Sequence, residues 1–158
     1  MMSLRTHGHR SPAELRDDVC QAPAASAELV SAALDLVAGR CAAPNCAAQA
    51  RRIRTLIDAH AWTDAILATV DLDRSRAVRQ LSHDEVEWIC RIGSRWAVPD
   101  WLDDSVHFTH PVLPLAILGA LLSALAQNEK AAVPATSVPS SRQRLGHSIS
   151  AVSCDNYV

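Results

Sequence analysis

Between Pro111 and Ala126 the chain runs for sixteen residues without a charge, and no other feature of its 158 residues limits the available folds as strongly. Leu115, Leu118, Leu121, Leu122 and Leu125 recur at three- and four-residue steps, the period of a helix face. Ala116, Gly119, Ala120, Ser123 and Ala124 put small side chains on the other faces, so a neighbouring backbone can come close. As a helix the stretch reaches about 24 Å at ~1.5 Å per residue, short of the ~30 Å of bilayer hydrocarbon. Lengthening it towards Ser105 would carry His107, His110 and two prolines into lipid. The expectation is a helix buried in a water-soluble bundle, not a membrane span, capped by Asp103, Asp104 or Thr109, with Pro114 just inside its start or at a local kink.

A buried helix needs amphipathic partners. Ser26 is an N-cap type of residue, Glu28 suits the positive end of a helix, and Gly39 suits its end. Between them Leu29, Val30, Ala33, Leu34 and Val37 make one face apolar. After a turn around Pro44 and Asn45, a second helix from about Ala47 to His60 places Ala50, Ile53, Leu56 and Ile57 inward and Arg51, Arg52 and Asp58 in water. Thr63 is positioned to cap a third, shorter helix with Ile66, Leu67 and Val70 inward, ended by Asp71, Asp73 and Arg74.

Residues 76–93 fit two patterns. Ser82-His83-Asp84-Glu85 reads as a capping box before Val86, Ile89, Cys90 and Gly93 at helical spacing. Val86, Trp88, Cys90 and Ile92 also alternate as a strand, with Val78 to Leu81 as partner across a turn at His83 to Glu85. Asp84, Glu87-Trp88 and Cys90, then Pro99, Trp101-Leu102-Asp103-Asp104 and Leu113-Pro114-Leu115-Ala116-Ile117-Leu118, resemble a group of small uncharacterised bacterial proteins over roughly residues 47–125. Those proteins tend to have glycine, suited to a tight hairpin turn, where this chain has Val86, so the resemblance implies strands here and carries no activity. The expected fold is α+β and mainly helical: three helices, a short two-stranded hairpin near residues 76–93 and a long terminal helix. An all-α bundle is the alternative.

The ends read differently. Residues 1–25 mix charges, His, Pro and Ala without apolar periodicity, and residues 128–158 carry Pro134, Pro139 and six serines after position 136. Ordering thirty residues costs roughly 1 to 2 kcal/mol each in backbone entropy, more than the few apolar anchors there offset. The expected organisation is a disordered tail over 1–25, one globular domain over 26–127, and a second disordered tail over 128–158. No apolar run near the start resembles a signal peptide, and the five cysteines are an odd number, so a reducing cytoplasm is the expected setting.

A net charge of -2 provides no global field for nucleic acid or an anionic membrane. Arg51, Arg52 and Arg54 with Arg74, Arg76 and Arg79 would make a phosphate stripe only if their two segments lay side by side, and residues 26–128 hold nine basic against twelve acidic side chains. The five glycines are too scattered for a phosphate loop. No nucleic acid, membrane or cofactor is therefore expected.

Chemistry-bearing residues are sparse. Cys41 and Cys46 flank a turn and, with His60, His83 or Cys90, would suit a tetrahedral zinc ion; the spacing equally suits two small apolar residues at the mouth of a helix pair. His107 and His110, or His7 and His9, lack a third ligand, and His107 and His110 read as polar residues leading into the leucine-rich helix. His83, Asp84, Glu85 and Glu87 place carboxylates near an imidazole, but a cap or turn explains them. Trp62, Trp88, Trp96 and Trp101 crowd into forty residues, as core filler or as a binding surface. The expected function is a non-enzymatic interaction module or homo-oligomer whose partner covers the tryptophan-bearing segment and part of the last helix. The alternative is a metal-binding or thiol-redox protein using Cys41 and Cys46.

Overall fold

The computed structural model describes residues 10–96, 98–99 and 102–132, and combines five helices with a three-stranded antiparallel sheet. The leucine-rich stretch forms the last helix, α5 (Leu113–Ala132), and every residue from Leu115 to Leu122 is buried. A helix apolar on all sides has to be surrounded. Here β2 and β3 lie on one side of it, and α1, α2 and α4 pack around the rest. Pro114 is accommodated in its first turn. Among the described residues no helix is long and apolar enough to cross a membrane.

The expected helices form with shifted ends. In α2 (Ala27–Ala38) the Ser26 hydroxyl accepts the Leu29 amide at 3.3 Å and Val30, Ala33, Leu34 and Val37 are buried. In α3 (Cys46–Asp58) the inward residues are Ala50, Ile53 and Ile57. Thr63 does not cap α4 (Trp62–Leu72), which starts one residue earlier and has Ala61 at its N-cap with no side-chain bond. Its start is fixed instead by the end of α3: the His60 amide donates to Ile57 O at 3.0 Å and the Ala61 amide to Leu56 O at 2.9 Å, with His60 at φ 58. That bond pair closes a helix with one left-handed residue, a place glycine usually fills.

Two elements depart from expectation. Residues 12–21, read from composition as part of a disordered tail, form α1 (Pro12–Gln21). The Ser11 hydroxyl accepts the Glu14 amide and the Glu14 carboxylate accepts the Ser11 amide at 2.8 Å, a reciprocal cap that also lowers the Glu14 pKa. Leu15 and Val19, one turn apart and fully buried, fasten α1 to α5. At the other end α5 continues through Ala132, past the expected boundary at 127; residues 1–9 and 133–158 of the expected tails lie outside the described residues.

The second departure is a third strand. Residues 76–93 do form a hairpin, β1 (Arg76–His83) with β2 (Trp88–Ser94), but its turn is Asp84 to Glu87. Val86, expected to pair, sits in that turn 73% exposed. Its amide donates to Asp84 O at 2.8 Å around Glu85 at φ 69, a γ-turn. Arg79 is the extra residue of a β-bulge between Val78 and Gln80. His107 and His110 do precede the leucine-rich helix, but as part of a strand, and none of Asp103, Asp104 and Thr109 stands directly before its first residue. The segment is β3 (Val106–His110), paired to β2 with Cys90 opposite Phe108. Val106 and Phe108 alternate with exposed His107 and Thr109, which is the strand pattern.

Close approach of β3 to α5 depends on Gly119. A Cβ there would come within 2.2 to 2.6 Å of three ring atoms of Phe108, so the small residue receives an aromatic ring and not a backbone. Arg76, only 4% exposed, adds a polar tie, donating to Asp104 at 2.9 Å and to Asn128 near the end of α5 at 2.6 Å.

Alanine at a helix interior position ordinarily gains up to about 1 kcal/mol over glycine. At Gly119 the ring contact reverses the sign. Gly119→Ala is expected to destabilise the chain by about 1 to 3 kcal/mol in urea unfolding, and adding Phe108→Leu to recover part of that loss.

Candidate functional site

The four tryptophans do not share one surface. Trp62 opens α4, half-buried against the core and edge-on to the His60 ring at 5.1 Å. Trp88 opens β2, packs on the core and meets His83 across the hairpin at 4.7 Å. Trp96 follows the other end of β2, about 20 Å away at ~3.3 Å per residue, and is 70% exposed. Trp101 lies outside the described residues. Two of the expected interaction residues thus serve packing.

Trp96 is held by its backbone. Its amide donates to Ser94 Oγ at 3.3 Å, and Arg79 Nη2, from the bulge, donates to its carbonyl at 2.7 Å. Arg95 beside it donates to Asp71 at 2.9 Å and to the Arg76 carbonyl at 3.3 Å. Leu102, 52% exposed, belongs to the same connection between β2 and β3. Nearby Asp103 bonds the Ser105 hydroxyl and amide and pairs with Arg91. The Ser105 hydroxyl first, then its amide and the arginines, hold the Asp103 carboxyl below the usual range.

The cysteine turn keeps two of its candidates together and loses the third. Cys41 is half-buried, and the Cys41 thiol beside it, followed by burial, pushes the Cys46 thiol up. His60 stands beyond the far end of α3, about 20 Å from Cys46 at ~1.5 Å per residue, so it cannot complete a site with them. Cys90 is fully buried on the inner face of β2. Among the described residues no group of three or more His, Cys, Asp or Glu side chains is placed to hold a metal ion.

Asp84, Glu85 and Glu87 belong to the hairpin turn and His83 ends β1 beside it, with the Glu87 amide bonded to Asp84 Oδ1 at 3.0 Å. The arginines do not form a stripe. Arg54 pairs with Asp35, Arg76 is buried, Arg74 binds the Asn45 amide oxygen and Arg79 the Trp96 carbonyl.

A cleft of about 570 Å³ between the end of α1 and β3 was not visible in the sequence. Its walls include Cys20, Glu87, His107 and His110, which come from three separate segments. His110 is 7% exposed and its Nδ1 accepts the Val112 amide at 3.0 Å.

Burial pushes the Cys90 thiol up to about 11. Its thiol therefore stays protonated in the fold while the unfolded chain ionises first. The stability it contributes is full below about pH 9 and is lost as pH rises through 11. Urea midpoints measured from neutral pH to about pH 10 should fall, and should fall less for Cys90→Ala; iodoacetamide should label Cys20 in the folded chain and Cys90 only after unfolding. No protein family, no curated protein and no solved structure matches the chain, so its function is read from these sites alone.

Proposed function

We propose that the chain is a non-enzymatic interaction module that binds a protein partner, or a second copy of itself, through the connection carrying Trp96 and Leu102. The observation that carries this reading is a tryptophan 70% in water whose backbone is bonded on both sides. Exposed apolar area costs about 25 cal/mol per Å², and a partner covering the ring recovers that cost. Because the amide and carbonyl of Trp96 itself are already bonded, less ordering entropy opposes the gain. The last helix takes no part, since α5 has no free face before Gln127.

Trp96→Ala should leave the fold intact and abolish the association seen with the wild-type chain, either a dimer by light scattering or a protein captured from the native host. A wild-type monomer that captures the same proteins as Trp96→Ala would overturn the reading. The neighbouring thiols of Cys41 and Cys46 support a second reading, reversible disulfide formation. Treated with oxidised glutathione, the chain would lose two hydrogens and release two molecules of glutathione. Intact-mass measurement should show that loss in the wild type and not in Cys41→Ser; an unchanged mass would remove this reading.

A further inference from the structure

We propose that the cleft between the end of α1 and the open edge of β3 binds a basic polypeptide segment in extended form. The chemistry starts with His110. Since its Nδ1 accepts the Val112 amide hydrogen, the ring hydrogen sits on Nε2, making that atom a donor. Among the described residues Nε2 has no partner, yet no buried side-chain nitrogen or oxygen is left unpaired. Nε2 therefore lies at the small accessible part of a ring that is 7% exposed, and that ring lines the cleft. A donor so placed takes a carbonyl oxygen. It does not take a metal ion, because a ligating Nε2 would have to give up its hydrogen.

The wall of the cleft is the unbroken run of residues 107–112, and β3 is an edge of the sheet. One wall is thus a strand edge, where backbone amides and carbonyls stand open to pair with an added strand. Charge selects the occupant. Glu87, half-buried, has no ion-pair partner, since the ion pairs of the described residues all lie elsewhere. Among the described residues no lysine or arginine lines the cleft, so it disfavours a phosphate or carboxylate and favours Lys or Arg on the incoming segment. Phe108, Val112 and Pro23 offer apolar contact for its alternate side chains. The site is independent of Trp96, which lies beyond the opposite end of β2.

Fluorescence anisotropy with three dye-labelled short peptides tests this: alternating Lys and Val, alternating Glu and Val, and alternating Lys and Pro. The Lys–Val peptide should bind the full chain best, and the Lys–Pro peptide, lacking half its amide hydrogens, no better than the Glu–Val one. Glu87→Gln should cut the preference for lysine over glutamate about fivefold. His110→Asn, which keeps an acceptor for the Val112 amide and deletes the Nε2 donor, should weaken Lys–Val binding about fivefold. Trp96→Ala should bind the peptide as the wild type does, which separates this site from the surface proposed above. Equal binding of all three peptides, no binding of any, or indifference to Glu87→Gln would overturn the proposal.

Discussion

A helix with no polar side cannot rest on a surface; the rest of the chain has to enclose it. That requirement explains why both layers of this protein converge on α5. The sheet can approach only where the helix lacks bulk, and Gly119 provides that place for the Phe108 ring. Helices close the remaining faces, α1 with two apolar side chains and α2 and α4 with broader stripes. Arg76 then joins the first strand to the end of the buried helix through Asn128, so the two layers share polar as well as apolar contacts. Its charge is satisfied by Asp104, whose carboxylate remains half in water, which limits the desolvation that a fully buried pair would suffer.

Legibility in the sequence followed the strength of periodic burial. The stretch ending at Ala126 and the apolar face of α2 were plain because several turns repeat the same pattern. Helix α1 was obscured because ten residues hold only Leu15 and Val19 as large apolar anchors amid charges, although Ser11 and Glu14 already spelled its cap. Strand β3 is five residues long, and its histidines and the following proline resembled the approach to a helix. Ser82 to Glu85 gave conflicting local signals because both a helix cap and a hairpin turn use short polar side chains to bond nearby amides.

The candidate sites were less legible for a different reason. Composition showed that tryptophan was abundant, but which ring stays in water depends on the strand register and on the Arg79 bulge. The cleft joins Cys20, Glu87 and His110, far apart in the chain, so no spacing rule could have found it. His60 illustrates the converse. A residue that invites thought of metal ligation instead closes a helix with its backbone, and its ring packs on Trp62.

The bulge on β1 has a bearing on how the sheet can grow. A ladder adds strands only along an edge of regular register, and Arg79 interrupts that register on one side while placing a charge there. The β3 side keeps its regular pairing through all five residues. Among the described residues β3 is therefore the edge of unbroken register, and an added strand is favoured there over the β1 side, where the ladder shifts at Arg79.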